Sequence, residues 1–212
     1  MGLLHDDYTD SHEDLINLYN LDDNTDLSKF VRIEFCPYDY KDYCDIKKYE
    51  LRVDEKSTPI WFTDEIKNEC KDKLEFLVKR CIINDKNIKC LLSGVYILCG
   101  KTNVEYIKNC RIFQMMDNSN VGEMMDNSNV GEMMGSSNVG KMMDNSKVGM
   151  MRGNSNIGVM MGSSNVGVMR GSSNVGEMMG SSNVGKMMDN SKVGMMRDNS
   201  NIGVMIDNSN VG

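Results

Sequence analysis

The chain has 212 residues, 40% of them hydrophobic and 26% charged, and carries a net charge of -7 at neutral pH. No run approaches the ~18 consecutive apolar residues that a membrane-spanning helix requires, and no basic stripe is present to neutralise a nucleic-acid backbone. All aromatic residues, all seven cysteines and both prolines lie at or before Phe113, whereas 20 of the 21 methionines lie after it, so composition divides the chain into a conventional part and a repetitive part.

Residues 1–29 form an acidic segment, with Asp6, Asp7, Asp10, Glu13, Asp14, Asp22, Asp23 and Asp26. Such a run reads as a solvated tail or surface helix. Ser11-His12-Glu13-Asp14 ahead of Leu15, Ile16, Leu18 and Tyr19 predicts a short helix with Ser11 as its N-cap. The start has neither the charged-then-apolar order of a signal peptide nor the Ser or Thr expected at position six of a myristoylation signal. Together with seven widely spaced cysteines, an odd number that fits reduced thiols better than a disulfide framework, this predicts the cytoplasm or another reducing compartment.

Residues 30–99 read as a small α+β domain. Val31 to Phe35 and Tyr49 to Val53 alternate apolar and polar as half-buried strands do, with a turn at Cys36-Pro37-Tyr38-Asp39. A helix is predicted from Thr63, with Asp64 and Glu65 at its start and Lys79-Arg80 at its end, each suited to the helix dipole. Ile66, Cys70, Leu74, Leu77, Val78 and Cys81 fall on one face as a core stripe. Asn84-Asp85-Lys86-Asn87 turns the chain into an apolar run, Ile88 to Cys99, expected as one buried strand that caps the repetitive part.

Gly100-Lys101-Thr102 resembles the end of a phosphate-binding loop, but that loop needs a glycine five positions before Gly100, where the chain has Val95. The triplet instead fits a worn copy of a repeat. From Asp117 onward a nine-residue phrase, first Asp-Asn-Ser-Asn-Val-Gly-Glu-Met-Met, occurs ten times in full and once in part to Gly212. Lys108 to Met116 matches it with substitutions, and Gly100 to Ile107 is an earlier copy, so the repeat is expected to begin near residue 100.

Counting Asp117 as position one, Ser is invariant at three, Val or Ile at five, Gly at six and Met at eight, while charges are tolerated at four, seven and nine. Period-two alternation then predicts Ser, Val and Met inward, a corner at position one, and a break in the alternation at the glycine of position six, where unusual backbone angles are cheapest. One phrase buries too little to offset the ordering of nine residues. Stacked at ~4.8 Å the coils would complete one another's hydrogen bonds and align identical side chains. Two phrases per coil are expected, with three as the alternative. Gly131 to Met160 recurs 45 residues later as Gly176 to Met205 with the single change of Gly153 to Asp198. Five phrases separate the copies, so two per coil would set them on opposite faces.

The phrase resembles the short-period parallel β-solenoids, and more narrowly the Asn-Ser-x-Val-Gly-x-Met arrays of uncharacterised phage and gut-bacterial proteins. The resemblance covers residues 100–212 and implies architecture, not activity. The Gly-Gly-x-Gly-x-Asp signature of calcium-binding nonapeptides is missing, so calcium is not expected. The expected class is therefore mainly β: an acidic N-terminal segment with a short helix (1–29), a small α+β domain capping the solenoid (30–99), and a nonapeptide-repeat parallel β-solenoid (100–212).

Function is expected to be non-enzymatic: a structural or protein-binding scaffold in which the solenoid acts as spacer or interaction surface. Outward methionines at position nine, Met125, Met134, Met143, Met161, Met179 and Met188, are the candidate interaction strip, because flexible thioethers suit an adaptable contact. The alternative is an acidic nucleic-acid mimic that inhibits a DNA-binding enzyme. No catalytic residue, cofactor or metal is assigned: both histidines, His5 and His12, lie in the acidic segment, no cysteine pair has zinc spacing, and Cys36 and Cys44 lack a local histidine. The expected partner is a protein, or a second copy pairing through the uncapped coil that ends at Gly212, since an open edge invites strand pairing. Neither direct nucleic-acid binding nor a membrane is expected.

Overall fold

A computed structural model of the protein describes residues 12–20 and 30–212, in two compact units, 1–81 and 82–212. In the first unit, α1 (His12–Leu18) carries Glu13 and Asp14 in its first turn, where carboxylates oppose the positive end of the helix dipole. The expected Ser11 cap and His5 lie outside the described residues. β1 (Ile33–Pro37) and β2 (Tyr49–Val53) pair antiparallel, Ile33 opposite Val53 and Pro37 opposite Tyr49. Cys36 and Pro37 thus belong to the strand, and the expected turn starts only at Tyr38. Two 3-10 turns connect the strands, capped by Asp39 and Asp45, whose carboxylates accept the N–H of Lys41 at 3.0 Å and of Lys47 at 3.1 Å.

Tyr49 anchors this unit. It is buried, its ring lies 5.4 Å from that of Phe35, and its hydroxyl donates to the Tyr43 carbonyl at 2.9 Å. Burial raises its phenol well above the usual tyrosine range. The helix α2 (Asp64–Cys81) has the predicted acidic start and basic end, and the pairs Glu69–Lys73 and Glu75–Lys79 staple its exposed side. Its stripe of Ile66, Cys70, Leu74, Leu77, Val78 and Cys81 is only half buried. The expectation of a true core face is corrected: the stripe has the right spacing, but no residue of α2 is fully enclosed.

The second unit is a parallel β-solenoid. Two eight-stranded sheets face each other, and each strand bonds to the strand two places away in sequence, so one coil takes two phrases. The register holds from coil to coil: Asn138, Val139, Lys141 and Met142 lie beside Asn120, Val121, Glu123 and Met124. One sheet, the Ile82 sheet, begins with the strand Ile82–Asn84, and the other, the Asn87 sheet, with the strand Asn87–Leu91.

The solenoid therefore starts at Ile82 rather than near residue 100. The apolar run from Ile88 to Cys99 is not one strand. It is the strand Asn87–Leu91, a corner at Leu92-Ser93-Gly94, and the strand Val95–Cys99. Gly94 has φ +98 and Leu92 is exposed, so a corner lies inside what sequence presents as continuous hydrophobicity. The worn copy at Lys108 is also offset. Lys108 pairs with Met125, which holds position nine one coil later, and Asn109, with φ +51, makes a corner one residue shorter.

Inside, Val at five and Met at eight form columns from both sheets that are almost completely buried from Val121 to Val193. Each fully buried Val or Met contributes on the order of 1.5–3 kcal/mol. Ser at three is equally buried, and the worn copy substitutes Thr102, whose hydroxyl donates to the Ile83 carbonyl at 3.1 Å. Alternation breaks where expected, because five and eight both point inward. Glycine at six is nevertheless not a corner with special angles. It lies within the strand, its φ is outside the left-handed region, and a Cβ on Gly140 would sit 2.5 Å from the carbonyl oxygen of Gly122 one coil earlier. Space between coils, not backbone freedom, requires it.

The left-handed residue is at position one. Every occupant from Asp117 to Asp207 has positive φ, about 57° for aspartate and 67° for glycine, a conformation tolerated by Gly and, at lower cost than for other residues, by Asp and Asn. Gly100 takes the same conformation at φ +61, so Gly100-Lys101-Thr102 is a corner and not a phosphate loop.

Candidate interaction surface

Because a coil takes two phrases, position-nine residues separate into two columns on opposite corners. After the Asn87-sheet strands come Lys108, Met125, Met143, Met161, Met179 and Arg197; after the Ile82-sheet strands come Met116, Met134, Arg152, Arg170, Met188 and Ile206. The six candidate methionines are thus not one strip. Met125, Met143, Met161 and Met179 stack in four consecutive coils, bounded by two cations. Met134 and Met188 sit on the other corner, separated by two arginines. Met134 is buried and the other five are half buried, so the methionines partly fill the corners instead of standing free.

The outward faces also differ. On the Asn87 sheet, position four is asparagine from Asn87 to Asn174. The amides of Asn120, Asn138, Asn156 and Asn174 each donate to the asparagine one coil earlier at 2.6–2.9 Å. On the Ile82 sheet the same column contains Arg111 and Lys147, and a single such bond, Asn201 to Asn183 at 3.1 Å, is formed among the described residues.

Carboxylates are used internally. Glu123 pairs with Lys141 at 3.2 Å, Glu132 with Arg152 at 2.6 Å, Glu177 with Arg197 at 3.0 Å and Asp126 with Lys108 at 3.1 Å. The Glu132–Arg152 and Glu177–Arg197 pairs are the same pair copied by the 45-residue duplication, and they lie on opposite sheets. The aspartates at position one have a second task. In the corner, the N–H of position two bonds to the position-one carbonyl of the previous coil, as Ser136 to Asp117 at 2.7 Å, and the N–H of position three bonds back to position nine, as Ser119 to Met116 at 3.1 Å. That leaves the N–H of position one without a backbone acceptor. Aspartate one coil later supplies one: Asp117 accepts from Gly100, Asp144 from Asp126, Asp189 from Gly171 and Asp198 from Gly180, at 2.9–3.1 Å. Sequence reasoning does not find this cap. Its signal is the restriction of position one to Asp or Gly.

Among the described residues no group of His, Cys, Asp and Glu is arranged to hold a metal ion, and no helix is long and apolar enough to cross a membrane. Burial raises the thiols of Cys36, Cys70 and Cys110 above the ordinary cysteine range, which opposes thiolate formation. The expectation of a fully reduced set is corrected in part: Cys36, Cys70, Cys81, Cys90 and Cys110 are free thiols, but Cys44 and Cys99 are disulfide-bonded. Comparison of the chain with protein-family models, curated proteins and solved structures finds no match.

Proposed function

We propose that the protein is a non-enzymatic structural or protein-binding scaffold whose solenoid supplies length and a ladder-patterned surface to a protein partner. The observation that carries this reading is the duplication: the same 30 residues, with one change, serve on both sheets and at two heights. A catalytic constellation needs one fixed geometry, whereas a spacer tolerates its own parts being moved. The kinship of the phrase with the Asn-Ser-x-Val-Gly-x-Met arrays of phage and gut-bacterial proteins is part of the same proposal; a reducing compartment is not, because Cys44 and Cys99 are disulfide-bonded. The nucleic-acid mimic draws little support, because the carboxylates it would present are paired with cations or cap amides.

Deletion of one coil, residues 153–170, tests the scaffold. The cut joins Arg152 to Gly171 and preserves the register of both sheets. A spacer keeps its fold and its partners while its length by small-angle scattering falls by one coil. Loss of every partner from the folded deletion variant would overturn the reading.

A further inference from the structure

On the Asn87 sheet, four successive coils from Asn120 to Met179 present one relief. Val or Ile at five and Met at eight point inward and are fully buried, six is glycine, and four and seven stand outward, half buried or exposed. The face therefore has two ridges along the stack, at four and seven, with one furrow above five and six and another above eight. The ridge at four is the amide ladder of Asn120, Asn138, Asn156 and Asn174. The ridge at seven is Glu123, Lys141, Val159 and Glu177, and each of its charges is already paired, Glu123 with Lys141 at 3.2 Å and Glu177 with Arg197 at 3.0 Å. Beyond the furrow above eight stand the half-buried thioethers of Met125, Met143, Met161 and Met179. The relief is closed at both ends: Glu105 takes the place of glycine at six one coil earlier, and Lys192 that of asparagine at four one coil later. The Ile82 sheet, built from the same phrase, carries Arg111 and Lys147 at four and Lys186 at seven.

We infer that this face is a dimerisation surface and that its occupant is the same face of a second copy of the chain. Reversing a strand about position six exchanges four with eight and five with seven. A two-fold axis parallel to the solenoid axis performs that reversal for every coil at once and sets each coil level with its copy. Each ridge at seven then lies in the partner's furrow above five and six, and each asparagine ridge in the partner's furrow above eight, beside its methionines. The result is an interdigitated contact between ladders, with adaptable thioethers walling one furrow. Only a stack with the same coil spacing repeats the contact from coil to coil, and a second copy has that spacing by construction. Charge selects the face: on the Asn87 sheet the charges enter the contact as pairs, whereas two Ile82 faces would bury Lys147 and Lys186 of both copies. Four strands at about 4.8 Å by six residues at about 3.3 Å span on the order of 400 Å² per partner, an area that supports a weak, reversible dimer. The inference names a partner for the scaffold reading and rests on it.

The test is sedimentation of the full chain over a wide concentration range, with two variants of one phrase position on opposite sheets. The parent chain is expected to pass from monomer to dimer as concentration rises. Asn156→Lys sets a cation in the middle of the contact and is expected to weaken dimerisation by about tenfold or more. Asn165→Lys, on the Ile82 sheet, is expected to leave it unchanged. Lysine already occupies position four at Lys147 and Lys192, so both variants keep the fold, which circular dichroism checks. In a mixture of isotope-labelled and unlabelled chains, the Val159 methyls should show contacts to the Asn156 side-chain amide of the other copy. A monomer at the highest soluble concentration, equal weakening by both variants, or contacts from Val159 to the other copy's Val159 in place of Asn156 would each overturn the proposal. A monomeric chain that still tolerates deletion of residues 153–170 would keep the scaffold reading and lose only the dimer.

Discussion

The carboxylate of Asp189 accepts the backbone N–H of Gly171, one coil earlier, at 2.9 Å. The contact joins residues 18 apart in sequence and explains why position one accepts aspartate: it tolerates positive φ and satisfies the one corner amide that the backbone ladder leaves over.

Replacement of Asp189 by Gly removes the cap without straining the backbone, and should cost on the order of 0.5–1.5 kcal/mol. Asp189→Ala loses the same cap and also places a β-carbon at φ +58, a further cost of about 1 kcal/mol. Urea unfolding of both variants checks the order. Alanine as stable as glycine would contradict the corner geometry.

Position six predicts the opposite tolerance. In Gly140→Ala the added methyl would meet the Gly122 carbonyl oxygen at 2.5 Å, and backbone on both sides cannot yield without separating coils. The loss should exceed about 2 kcal/mol, seen as a lower urea midpoint, although φ there is ordinary.

Two serines in equivalent positions should respond differently. The Ser128 hydroxyl donates to the Met125 carbonyl at 2.7 Å, so Ser128→Ala should destabilise by about 1 kcal/mol. The Ser155 hydroxyl is fully buried with no partner, and Ser155→Ala should leave stability unchanged or raised. Thermal unfolding of the two single variants distinguishes them.

Methionine oxidation maps the columns. Under mild peroxide, Met195 and Met205, 45% and 42% exposed, should convert first. The half-buried ladder of Met125, Met143, Met161 and Met179 should convert next, and the enclosed Met142, Met160 and Met178 last. Peptide mass spectrometry reads the order. Early oxidation of Met160 would show that the interior is open.

Much of the architecture was legible because the phrase states its own chemistry. Invariant Ser, Val and Met at three, five and eight define the interior, and a duplication of five phrases separates the faces once a coil takes two. The first coil was harder to see, since Ile82 to Cys99 buries the same face with Ile, Leu and Cys and lacks the Val-Gly marker. The helix stripe of α2 had the right period but not the expected burial, because periodicity reports which residues share a face and not what covers it.

Sequence alone determined the period, the inward set and the need for stacking, since these come from the identity of each position. Tertiary structure decided which residues are neighbours. Phrases adjacent in sequence lie on opposite sheets, and true contacts run between residues about 18 apart, so six methionines that look like one strip become a ladder of four and, on the opposite corner, two residues separated by Arg152 and Arg170. The same pairing decided that aspartate caps the previous coil, that glycine at six makes room for a neighbouring carbonyl, and that the asparagines at position four join in one ladder from Asn120 to Asn174 on the Asn87 sheet.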